Sequence, residues 1–129
     1  MTEGGPPRVP SVTRRVTQEA IDRYAAASGD FNPIHVDPEY ARRTPFGGTI
    51  AHGMLVLAYV CEALTAEFGR RWWEGGRLKV RFKAPARPGD LLVVSVSPSP
   101  RGGERREYVV TVTAGTETLV SGTAEVPAD

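Results

Sequence analysis

Residues 51–69 read AHGMLVLAYVCEALTAEFG, and this stretch decides the fold. Met54, Leu57, Ala58, Cys61, Leu64, Thr65 and Phe68 recur at the i, i+3, i+4, i+7 spacing of one helix face. Val56, Tyr59, Val60 and Ala63 make the opposite side nearly as apolar. The spacing predicts a helix over about Ala51 to Phe68, closed by Gly69 as a left-handed C-terminal residue. A helix apolar all round has to be buried, and in a domain this small it is either wrapped by a sheet or covered by a partner subunit.

The chain beyond the helix supplies the sheet. Leu78, Val80, Phe82 and Ala84 alternate with Lys79, Arg81 and Lys83, and Leu92, Val94 and Val96 repeat the period of two. Tyr108, Val110, Val112 and Ala114 form a third run, and a tight connection at Gly115-Thr116 leads into a fourth from Thr118 to Val126. Upstream, Val9 to Val16 is a candidate first strand interrupted by Pro10, and Thr17 stands as the N-cap of a helix from about Gln18 to Ala27. Ser28-Gly29-Asp30-Phe31-Asn32-Pro33 ends that helix, because proline forces its predecessor to extended backbone angles. Asp37 caps a further helical turn over Pro38 to Arg43. The ordering is α+β, and its simplest solution is a curled antiparallel β-sheet around the long central helix.

Composition bounds the function. At 129 residues the chain is one domain, expected as a flexible segment over residues 1–10 and a single folded unit over 11–129, with the Gly/Pro-rich run from Ser97 to Gly103 read as a loop. Sixteen basic against fifteen acidic residues give a net charge of +1, which argues against a nucleic-acid or membrane-surface partner bound by bulk charge. The single cysteine, Cys61, rules out an intramolecular disulfide and a zinc-thiolate cluster, and it fits a reducing compartment. Met1 to Pro10 lack the continuous apolar run of a secretory signal, and no stretch reaches the eighteen or so apolar residues of a membrane span, so the expected address is the cytoplasm.

Both histidines lie in the first half, in or beside turn-forming sequence. His35 follows Asp30 by five positions across Asn32-Pro33, a turn able to fold two side chains toward one point. An imidazole with a carboxylate beside it is a candidate general acid/base unit. The plain alternative stands next to it: Asp30 caps its own turn, and His35 is a satisfied, half-buried ring. Gly53 falls in the first turn of the long helix, where unpartnered amides and the positive dipole end can hold an oxyanion. It serves equally well as a residue that only permits close packing. His52 reads as structural or as a ligand contact. Asp37 and Asp90 read as turn chemistry, whereas Glu62 on the apolar helix stays open for a different reaction.

Three separated stretches carry a resemblance. Ser28-Gly29-Asp30-Phe31-Asn32-Pro33-Ile34-His35, with Tyr24 before it and Ala41 after it, closely resembles the signature of the MaoC-like, R-specific enoyl-CoA hydratases. Ile50-Ala51-His52-Gly53-Met54-Leu55 is similar to that family's lead into its central helix, and Val80 to Pro85 followed by Pro88-Gly89-Asp90 resembles its next strand and turn. One small departure is Ala27, where the pattern has a larger aliphatic residue.

The resemblance implies a hot dog fold whose protomers pair as a homodimer or heterodimer, with acyl-CoA bound at the interface. It implies that Asp30 and His35 activate water with Asn32 in support and that the Gly53 amide polarises the thioester carbonyl; Asn32, Ser28 and His52 are the candidate substrate-binding residues. The expected activity is reversible hydration of a trans-2-enoyl-CoA to an (R)-3-hydroxyacyl-CoA. No metal or flavin is expected, since the CoA or acyl carrier protein thioester is part of the substrate. A carboxylate open to water is a poor base, so this reading calls for an apolar, dry setting around Asp30. The alternatives are a hot dog thioesterase using a helix carboxylate such as Glu62, and a subunit of a heterodimeric dehydratase.

Overall fold

The structure is a computed structural model that describes residues 9–102 and 105–128. Its elements run β1 (Val9–Arg15), α1 (Gln18–Ser28), α2 (Pro33–Val36), α3 (Pro38–Arg42), α4 (Gly53–Phe68), α5 (Arg70–Gly75), β2 (Arg77–Phe82), β3 (Leu91–Gly102), β4 (Arg105–Ala114) and β5 (Glu117–Pro127). The five strands form one antiparallel sheet in the order β1-β3-β4-β5-β2. The strands after α4 are the four expected, and the candidate first strand joins them beside β3. Of the segment expected to be flexible, residues 1–8 lie outside the described residues, while Val9 and Pro10 already belong to β1.

The sheet's inner face meets α4. Leu92, Val94 and Val96 of β3, Tyr108, Val110 and Val112 of β4, and Val120, Ala124 and Val126 of β5 are buried with Val56, Val60, Ala63 and Leu64 of the helix. Alternation along each strand sends these residues inward and their neighbours outward. A shift in register between Val112↔Val120 and Thr113↔Thr118 inserts Leu119 as an extra residue, so Leu119 and Val120, adjacent in sequence, are both buried. The Leu119 carbonyl then accepts from the amides of Lys83 and Ala84, which ties the end of β2 to β5 after the ladder stops at Phe82.

Four local expectations change. The buried stripe of α4 is Leu55, Val56, Val60, Ala63 and Leu64: it takes Val56, Val60 and Ala63 from the side read as secondary and only Leu64 from the other, whereas Met54 is 61% exposed and Ala58 is exposed too. Both sides of the helix are apolar, so periodicity alone does not choose between them. Ser97 to Gly102 are strand, not loop. Among the described residues β3 has no neighbour on the β1 side beyond the Val9↔Val96 pair, so a proline in this stretch can point its missing donor outward. Asn32-Pro33 does end α1, but Pro33 also opens the one-turn helix α2. Gly69 stops α4 at φ 56°, and the chain then re-enters a helix, α5, that no periodic signal announced.

Two outcomes test this packing. β2 and β5 approach closely at the Val80↔Gly122 pair, where a Cβ on Gly122 would run into the Lys79 carbonyl and lie 2.6 Å from Val80 Cα. Gly122→Ala is expected to destabilise the fold by about 1–3 kcal/mol in urea unfolding, and an unchanged midpoint would refute that contact. Half-buried on α4, the Cys61 thiol is pushed up from its ordinary range by burial, with a hydrogen bond from Trp72 pulling slightly the other way. Its reactive thiolate therefore forms at higher pH than that of free cysteine, and the rate of alkylation by iodoacetamide is expected to rise at correspondingly more alkaline pH. Coincident rate profiles for the protein and free cysteine would contradict it.

Candidate active site

Three short-range bonds shape the loop that carries Asp30. Gly29 caps α1 in the left-handed region at φ 80°, its amide donating to the Ala25 carbonyl at 2.8 Å. The Ser28 hydroxyl accepts from the Asp30 amide at 3.2 Å, Asp30 Oδ1 accepts from the Asn32 amide at 3.2 Å, and Asn32 Oδ1 accepts from the Ile34 amide at 3.0 Å. Each is the Asx- or Ser-type turn that lets a short polar side chain replace a backbone partner. The turn reading and the convergent reading of Asp30 thus hold together: one carboxylate oxygen fixes the loop while the group stays beside His35.

Residue His35 sits in α2 with its ring half-buried, and its Nδ1 lies 2.8 Å from the Ile50 carbonyl oxygen. A carbonyl only accepts, so Nδ1 carries the proton and donates, and Nε2 is left with its lone pair. The main chain of the same residue is held by Gln18, whose Nε2 donates to the His35 carbonyl at 2.8 Å while its Oε1 accepts from the buried Thr49 hydroxyl at 2.6 Å. Donor atoms of Asp30, His35 and His52 all lie within 4.8 Å of one another. A single water making hydrogen bonds of about 2.8 Å to two groups spans separations up to about 5.5 Å, so Asp30 and His35 are within reach of one shared solvent molecule. The same three residues are the set, among those described, whose donors are close enough for a metal ion.

Next to this pair is the head of α4. Gly53 is its first residue, and no side chain caps the helix; the Leu55 amide turns back to the His52 carbonyl at 3.1 Å, while the Gly53 and Met54 amides have no acceptor among the described residues. Gly53, Ile50 and Val56 line an apolar cavity of about 330 Å³ closed by Phe46, Phe82 and Leu119. The Phe82 ring lies against Gly53, where an added Cβ would stand 3.2 Å from Cε1. Ile50 therefore joins the two halves of the site: its carbonyl orients His35 and its side chain faces the cavity that Gly53 opens onto.

The remaining expected residues have different surroundings. Asn32 and Ser28 are exposed, with their side-chain oxygens engaged by the loop backbone. His52 is buried behind His35. Glu62 forms an ion pair with Arg14 of β1 and does not line the cavity. Asp30 itself is exposed, so the dry setting expected around it is not supplied by the protomer alone. Gln18 and the Ile50 carbonyl were not foreseen. The first is an ordinary polar residue at a helix start, and the second is a main-chain group that no residue type announces.

Comparison with known proteins gives concordant matches. A family model described as MaoC like domain matches residues 2–120. The chain is 33% identical over 119 residues to a 3-hydroxybutyryl-CoA dehydratase of Methylorubrum extorquens, covering 88% of this chain and 73% of that protein. It is 31% identical over 122 residues to an (R)-specific enoyl-CoA hydratase of Rhodospirillum rubrum, covering 90% and 82%. Among solved structures, an unliganded R-hydratase from Pseudomonas aeruginosa superimposes with a TM-score of 0.80 at 30% identity, over 92% of this chain and 78% of that one.

The loop geometry yields its own test. Asn32→Ala removes the cap of α2 and is expected to lower stability by about 0.5–2 kcal/mol, while Asn32→Asp, which keeps the accepting oxygen, restores most of it. Equal unfolding midpoints for the wild type and the alanine variant would contradict the capping role.

Proposed function

We propose a reaction on the premise that this chain belongs to the MaoC-like dehydratase domain family: it adds water reversibly across the double bond of a trans-2-enoyl-CoA to give an (R)-3-hydroxyacyl-CoA. Its fold is the hot dog fold, and it is an enzyme of the hydratase and dehydratase class. One observation carries the finer reading. The Asp30 carboxylate and the His35 ring have donor atoms within 4.8 Å of each other, and the carbonyl that orients His35 belongs to the cavity residue Ile50.

The chemistry rests on those groups. Asp30 and His35 Nε2 hold one water between them. As its oxygen bonds to C3, the pair takes one of its protons and a proton is delivered to C2, so the pair ends in its starting protonation state. Negative charge that builds on the thioester oxygen in between is met by the Gly53 amide at the positive end of α4. The acid/base pair is worth about 10²- to 10⁴-fold and the amide about 10²- to 10³-fold. The thioester's own CoA or acyl-carrier-protein handle anchors it, and no step calls for a metal or a flavin. Ser28 and Asn32 hold the loop and face the incoming substrate. Glu62 is ion-paired with Arg14 of β1, and the hydration reading gives it no catalytic part.

Two protomers complete the setting. Phe31 is 59% exposed and neighbours Asp30, Met54 is 61% exposed and neighbours Gly53, and Phe82 is 50% exposed at the cavity wall. Covering these side chains with a second copy, or with a related chain in a heterodimer, would remove water from Asp30. A cytoplasmic location belongs to the same reading.

The assay is loss of enoyl absorbance with crotonyl-CoA and longer enoyl-CoAs, together with chiral analysis of the product. Wild type is expected to turn over, with Asp30→Ala and His35→Ala each lowering kcat by about 10²- to 10⁴-fold. Full turnover in both variants would refute the mechanism, and release of free thiol from acyl-CoA would point to hydrolysis.

A further inference from the structure

A buried imidazole stands behind the site without a part in the proposed reaction. His52 is 3% exposed and is the residue immediately before Gly53. Its Nε2 lies 3.0 Å from the main-chain carbonyl oxygen of Asp30, so Nε2 carries the proton and donates. Its Nδ1 is then an acceptor, buried, and without a hydrogen-bond partner among the described residues. The ring stacks on His35 with centroids 3.9 Å apart and planes 25° apart, and it meets Tyr24 at 4.8 Å. Hydrogen-bond partners therefore hold the two rings in opposite tautomers: His35 protonated on Nδ1, His52 on Nε2.

That arrangement gives His52 three attachments at once. It reaches Asp30 through a hydrogen bond, His35 through a ring face and Gly53 through the peptide chain. The Asp30 loop has little else to hold it. Residues 28–33 are all exposed, and their other hydrogen bonds stay between residues 25 and 37. Among the described residues, the His52 bond is the one long-range hydrogen bond to this loop. We propose that His52 is a positioning residue that sets the spacing between the acid/base pair and the amide of Gly53. This rests on the hydration reading, because only a reaction using all three groups at once needs that spacing held.

Two variants separate the bond from the ring. His52→Phe keeps a ring against His35 and removes the donor, whereas His52→Gln keeps an N–H donor and removes the ring. A displacement of about 1 Å at a reacting group costs about 10²-fold in rate, so His52→Phe is expected to lower kcat about 10²-fold with KM within about threefold of wild type. His52→Gln is expected to recover about tenfold or more of that loss. A kcat equal to wild type in His52→Phe overturns the proposal. So does a rise in KM at unchanged kcat, which would make His52 a substrate contact, and so does an equal loss in the two variants. Should neither variant fold, the imidazole ¹⁵N spectrum of the wild-type protein decides: Nε2–H on His52 with Nδ1–H on His35 supports it, and Nδ1–H on His52 overturns it. Absence of hydratase turnover in the wild type fails the reaction itself, an outcome separate from the tautomer pattern.

Discussion

A sixteen-residue helix that is apolar on every side cannot stand in water, and the sheet covers it along only one flank. How that constraint is met determines the rest of the structure. β3, β4 and β5 turn their alternating valines and leucines onto Val56, Val60, Ala63 and Leu64, and the bulge at Leu119 brings a further side chain inward where the sheet curls. The helix start carries no side-chain cap, and its first residue, Gly53, lines the cavity together with Ile50 and Phe82. The oxyanion role proposed for Gly53 thus draws on a helix whose first turn has no side-chain cap.

The segment that carries the proposed acid/base pair is built on a different principle. Loop residues 28–33 are all exposed and are shaped by side-chain-to-backbone bonds that span two residues. Such bonds fix local angles well and long-range position poorly. Position comes from the core side: Gln18 and Thr49 hold the His35 backbone, the Ile50 carbonyl holds its ring, and His52 holds the Asp30 carbonyl. Rigid groups behind the loop define where the exposed, reactive ones stand, in keeping with the general need for a supported constellation.

How much of this was legible in sequence depends on whether a feature is written in side chains or in backbone. The strands announce themselves by alternation, α1 by Thr17 as its cap, and α3 by Asp37, whose carboxylate accepts from two amides as its position suggests. Asp30, His35 and Gly53 were legible as candidates because few residue types do their chemistry. The face of α4 that goes inward was not, since Met54 and Ala58 are as apolar as Val56 and Val60. Nor was the strand through Ser97 to Gly102, where two prolines mimic a loop but fall at a sheet edge. The partner of His35 is a carbonyl, and the burial of His52 is a consequence of folding. Neither leaves a mark in residue identity.

The ladder between β2 and β5 stops at Phe82, and the cavity is walled by the residues beyond it and by loop residues such as Phe46. Room for a ligand is therefore set by core elements on one side and, on the other, by side chains beyond the ladder such as Phe46 and Pro85. Variation confined to those outer side chains can change the room without touching the core, which makes this rim the natural place for selectivity to diverge between descendants of the same scaffold.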